Sequence, residues 1–143
     1  MKKIARTALL PYSAHQMYAL VNDVTSYTEF LPWCGDSEVI SESGIEMIAS
    51  VTIAKMGITQ TFKTRNHLVE GERIEMNLLD GPFKSLKGEW FFKVLDVDAC
   101  KIQFEVEFEV NSGLLNAAIG PIFEQISSTL VDSFCERAKQ VYG

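Results

Sequence analysis

Three kinds of residue in this 143-residue chain carry side chains with chemistry to offer: three cysteines, two histidines and a run of alternating acids. Cys34 stands inside the stretch FLPWCGDS, residues 30–37. A nucleophilic cysteine needs a base to take its proton and donors for the oxyanion. His15 and His67 are the only histidines, and no spacing ties either to Cys34. FLPWCGDS is too short, and too broken by Pro32, to form a helix or a strand. Three roles fit it: ordinary core, a reactive cysteine site, or the lip of a pocket for an apolar molecule. The missing base favours a packed or rim thiol, and Cys100 and Cys135 read as structural. Glu105, Glu107 and Glu109 alternate with apolar residues, the pattern of a strand's wet face rather than of a catalytic carboxylate pair. Zinc needs His or Cys pairs at short spacing, and a phosphate cradle needs a glycine-rich loop. The sequence contains neither, since its nine glycines are isolated turn residues.

Charge narrows the partners. The net charge is −6, which argues against DNA and against generic nucleic-acid binding by phosphate neutralisation. The distribution is uneven. Residues 55–93 hold seven Lys or Arg and five acids, a local +2 that leaves −8 for the remainder. Lys63, Arg65 and His67 share one face of a predicted strand, with Phe62, Thr64 and Leu68 on the other. Lys84 and Lys87 sit in and after the turn DGPFK. This basic set is either ordinary solvated lysine and arginine or a surface for phosphates.

The elements that must position these residues follow from periodicity. KIARTALL, residues 3–10, is an edge or first strand stopped by Pro11. Ser13 and Gln16 have capping-box spacing, and Met17, Leu20, Val21 and Val24 recur at helical intervals. Tyr27 to Phe30 extend into a second short helix ended by Pro32. From about 36 to 110 the period is 2, with breaks at Gly44, Gly57, Glu70-Gly71, Asp80-Gly81-Pro82, near Asp98, and at 111–113. Six antiparallel strands in a meander result. Ile122, Phe123, Ile126, Leu130, Phe134, Ala138 and Val141 make one apolar stripe. The helix expected over 122–142 is roughly 30 Å long. LLNAAI before it reads as a short turn or extension kinked at Gly120-Pro121. The length and the 47% apolar content imply one α+β domain over residues 1–143. No apolar run approaches the ~18 residues of a membrane span, and the first residues lack a signal-peptide core. Widely spaced cysteines with no CxxC pair imply reduced thiols and a cytoplasmic location. A sheet with one apolar face must bury it, and the long helix is the only element large enough. Such a sheet wrapped on a helix leaves a cleft, whose aromatic lining either fills a core or surrounds a ligand.

The same order, strand, two helices, six strands and a long helix, resembles the START-like helix-grip superfamily. The phrases that carry the likeness are RTALLPYSAHQMYALVNDV (6–24), YTEFLPWC (27–34), TFKTRN (61–66), DGPFKSLKGEW (80–90) and RAKQVY (137–142). They run nearly end to end. They are similar to the polyketide cyclase-like branch that includes bacterial ribosome association toxins and mitochondrial coenzyme Q-binding proteins. The resemblance implies a non-enzymatic protein that binds the large (50S) ribosomal subunit, blocks subunit association and inhibits translation initiation. It also implies an antitoxin protein as partner. Its other branch implies a cleft for ubiquinone or another hydrophobic ligand, with no cofactor required. The expected ligand cleft is Phe30, Leu31, Trp33, Phe62, Phe83, Trp90, Phe104, Phe108, Ile119 and Phe123. The expected ribosome or RNA contacts are Lys63, Arg65, Lys84 and Lys87. An aromatase/cyclase, also found in the superfamily, needs acids and bases inside the cleft, where the inward positions are almost all apolar.

Overall fold

The computed structural model describes residues 2–111 and 113–143, with the backbone alone at 114–116. Ser112, in the turn expected at 111–113, lies outside the described residues. The elements in order are β1 (Lys2–Leu10), α1 (Ala14–Asn22), a 3₁₀ segment (Val24–Glu29), β2 (Cys34–Glu42), β3 (Glu46–Lys55), β4 (Ile58–Val69), β5 (Arg73–Asp80), β6 (Phe83–Asp96), β7 (Ala99–Val110) and α2 (Leu114–Tyr142). The seven strands form one antiparallel, curved sheet in the order β1-β7-β6-β5-β4-β3-β2. Strands β2 to β7 are the expected meander, and β1 returns to pair with β7 along its whole length. This is the START-like helix-grip arrangement.

Local chemistry explains the joints. Ser13 caps α1: its Oγ accepts from the Gln16 N–H at 3.1 Å, and the Gln16 side chain accepts from the Ser13 N–H at 2.9 Å. The β4–β5 turn needs a glycine twice over. Gly71 has φ +72, and a Cβ there would meet the His15 ring at 2.9 Å. His15 therefore packs on a turn rather than facing a reactive group.

Two expectations need correction. FLPWCGDS is not all loop, because β2 begins at Cys34, which pairs with Ile53 across a bulge at Gly35. The Ala54 N–H also donates to the Trp33 carbonyl at 2.8 Å. A long-range partner thus makes a strand of a stretch too broken to suggest one. Of the two readings of LLNAAI, the structure has the extension, and the C-terminal helix runs unbroken from Leu114 through Pro121 rather than starting afresh after it. At 29 residues it is about 44 Å long. Pro121 removes one hydrogen bond near the first turns. Burial of Ile119, Ile122 and Phe123 offsets that loss and keeps the earlier turns helical.

The sheet holds α2 at two points. Phe123 contacts Phe83 and Phe108 with ring centroids 4.8 and 4.7 Å apart. Phe134 contacts Trp90, Phe30 and Tyr27 at 5.3, 5.4 and 5.6 Å. Eleven residues separate them, close to three turns, so both face the sheet about 16 Å apart. Edge-to-face aromatic pairs add to burial at both points. Phe134→Ala is expected to cost about 3–5 kcal/mol, seen as a lower urea midpoint. Val97→Ala, at a tip residue 81% exposed, is expected to change stability by less than about 0.5 kcal/mol.

Candidate ligand cavity and outer charged face

Between the two aromatic contacts, α2 presents Ile126, Ser127 and Leu130 to the sheet. Opposite them the sheet offers small residues, Ala49 and Gly88, beside Trp90 and Phe104. Small residues facing a gap between large ones leave space. The result is an almost wholly apolar cavity of about 100 Å³, closed on a third side by the 3₁₀ segment and Trp33. At ~10–15 Å³ of accessible space per water, it has room for several water molecules. That suits a ring-sized group more than a long chain.

Of the ten residues expected at the cleft, Trp33, Phe62, Trp90, Phe104 and Phe123 line this cavity. The other five stand off its wall. Phe83 and Phe108 pack on Phe123 and take no part in the lining. Ile119 and Leu31, each 1% exposed, are ordinary core. Phe30 lies outside on Phe134, with the Arg137 guanidinium 4.9 Å above its ring. Alternation tells which face a side chain takes, not where along the helix it sits, and this accounts for the difference.

Three polar lining residues went unnoticed as a group: Thr64, Asn66 and Ser127. Thr64 Oγ1 donates to Asn66 Oδ1 at 2.8 Å, and both side chains are buried. Their signal was available. Positions 62, 64, 66 and 68 share one face of β4, and Ser127 lies four residues after Phe123 in the apolar stripe. No carboxylate or histidine is among the residues lining this cavity.

The outer face of the sheet carries the expected basic residues, but cross-strand register sets acids among them. Arg65 pairs with Glu46 at 3.5 Å and Lys84 with Glu109 at 3.9 Å. Lys63 stands opposite Asp80, and Lys87 opposite Glu107. The local excess of positive charge in sequence therefore becomes a mixed surface. One place differs. Lys93 and Lys101 are directly opposed across β6 and β7, a like-charge pair that repels. Phe91 and Gln103 lie beside them in a shallow groove whose other bank carries Glu72.

Residues 10–135 match the family described as "Polyketide cyclase / dehydrase and lipid transport". A protein of Pseudomonas aeruginosa named ribosome association toxin RatA is 52% identical over 140 residues, covering 98% of this chain and 97% of that one. The chain belongs to this family, in its ribosome association toxin branch. A mitochondrial coenzyme Q-binding protein, COQ10 homolog B of Xenopus laevis, is 26% identical, covering 97% of this chain and 59% of its own length. In three dimensions the crystal structure of the Zhui aromatase/cyclase of Streptomyces sp. R1128 superposes with a TM-score of 0.86. It covers 99% of this chain and 96% of that one at 15% identity, a likeness of fold alone.

This member of the toxin branch holds Cys34 as a packed thiol. Its Sγ donates to the Asp36 carbonyl at 3.3 Å. Burial pushes the thiol above its usual range. Burial also raises the thiols of Cys100 and Cys135. A raised pKa keeps each sulfur protonated at mildly alkaline pH, where the thiolate is the reactive form. Iodoacetamide at pH 8 is expected to leave the native protein unlabelled over minutes while labelling all three cysteines in urea. Mass spectrometry gives the count, and rapid native labelling of Cys34 would contradict the packed-thiol assignment.

Proposed function

We propose that this chain binds the large ribosomal subunit in the cytoplasm, blocks its association with the small subunit and so inhibits initiation, without catalysing a reaction. The observation that carries this reading is the 52% identity, over nearly the whole of both chains, with a ribosome association toxin. The outer face of the sheet is the proposed contact. Its cations are Lys63, Arg65, Lys84 and Lys87, with Lys93 and Lys101 as the pair that faces another cation rather than an acid across the strands. Phosphate contacts supply affinity to such a surface, and the −6 net charge resists any other approach, so docking is oriented and salt-sensitive. An antitoxin protein is the proposed regulator.

Purified protein is expected to co-sediment with large subunits and to deplete intact ribosomes in a sucrose gradient at low salt. The doubly reversed variants Lys63→Glu/Arg65→Glu and Lys93→Glu/Lys101→Glu are each expected to weaken binding tenfold or more. Unchanged gradients with the unaltered protein would contradict the reading. Normal binding by both variants would move the contact off the sheet.

The apolar cavity favours a second reading, in which the chain carries ubiquinone or a similar hydrophobic molecule. Non-directional burial would hold the ring. Both tryptophans of the chain, Trp33 and Trp90, line the cavity, so their emission reports on it. Titration with a short-tailed ubiquinone analogue is expected to quench that emission to saturation. A linear, non-saturating response would count against the carrier.

A further inference from the structure

Apart from Tyr27, whose hydroxyl donates to the Val21 carbonyl, and the indoles of Trp33 and Trp90, the wall of the cavity is apolar except where Thr64, Asn66 and Ser127 meet it, and these three residues are 7%, 5% and 1% exposed. Position 66 lies on the same inward face of β4 as Phe62 and Leu68, where an apolar side chain would pack without polar cost. Asparagine there brings a carboxamide instead. Thr64 Oγ1 donates to its oxygen at 2.8 Å, which directs the amide N–H₂ away from Thr64. Asn66 Nδ2 makes no hydrogen bond to a described residue. The atom is not among the sealed polar atoms left without a partner, so it stays open to an acceptor that enters the cavity. Across the gap, Ser127 is similar. Its helical neighbours Ser128, Thr129 and Ser133 return their hydroxyl protons to backbone carbonyls one turn earlier. The Ser127 hydroxyl makes no such bond to a described residue.

We propose that Asn66, oriented by Thr64, is the donor that reads an oxygen acceptor on an apolar, ring-sized ligand of this cavity, with Ser127 as a second contact from α2. The inference rests on the ligand-carrying reading and deepens it: the ligand carries a carbonyl or ether oxygen on its ring. Thr64, Asn66 and Ser127 are all neutral, so this recognition is independent of pH between about 5 and 9. Thr64 is a positioning residue, since it acts through Asn66.

Indane and 1-indanone share one shape and differ in a single carbonyl, so together they separate burial from hydrogen bonding. Calorimetry on the full chain is expected to find 1-indanone bound about tenfold more tightly. In ¹H–¹⁵N spectra the side-chain amide of Asn66 is expected to shift with 1-indanone and to stay in place with indane. Asn66→Leu is expected to abolish the preference by weakening 1-indanone about tenfold, with indane held within twofold. Thr64→Val, which lets the carboxamide turn, is expected to lose part of it. If the two ligands bind the unaltered protein equally and Asn66 does not shift, the donor assignment is overturned and the cavity reading stands. If neither ligand binds, the cavity reading itself falls and takes this inference with it.

Discussion

Everything in this molecule depends on how the sheet holds one helix. Phe123 and Phe134 are the two contacts, three turns apart on the same side of α2. Phe123 meets Phe62, Phe83 and Phe108 of the sheet, and Phe134 meets Trp90 of the sheet with Tyr27 and Phe30 from the segment before β2. A curved sheet that grips a long helix around two aromatic contacts must fill the interval between them with large side chains or leave part of it open. Here the interval holds Ser127, Ala49 and Gly88, and it stays open. The cavity is thus a consequence of the grip rather than an addition to it. The same grip turns the polar face of every central strand outward, where it forms a broad surface with alternating charge.

These two consequences lie on opposite sides of the sheet and use different physics. The inner side offers burial, with the Asn66 amide on its wall. The outer side works by charge, and register decides its character. Glu105, Glu107 and Glu109 on β7 run past the lysines of β6, so most cations have an acid within reach. A surface of this kind binds weakly unless its pattern matches the partner's. It favours specific docking over general attraction to polyanions.

Much of this was legible in the sequence. The strict alternation of β7 and the capping box of α1 are local signals, and local structure obeyed them. The residues of the grip were also visible as inward-facing aromatics. Where sequence reasoning went astray, a long-range contact decided the outcome. Pro121 marks a helix start by its own chemistry, yet packing of Ile119 and Phe123 carries the helix back to Leu114. Cys34 looks stranded in a broken loop until Ile53 pairs with it. Phe83 and Phe108 face inward as expected, but their distance along α2 from the cavity is set by the sheet's curvature. The pairing of Lys63 with Asp80, or of Lys87 with Glu107, depends on register between strands that no single segment encodes. Asn66 shares the inward face of β4 with Phe62 and Leu68, but the role of a single polar residue there shows only once the cavity does.

The central claim is that this fold meets the large ribosomal subunit through the outer face of β4 to β7. A cryo-electron microscopy map of the purified subunit with the chain bound tests it most directly. The account predicts density at the surface the small subunit normally covers, with the outer face against ribosomal RNA, Lys93 and Lys101 near phosphates, and α2 turned away. Density that places α2 or the β2 edge against the ribosome, or that lies far from the subunit interface, would contradict it.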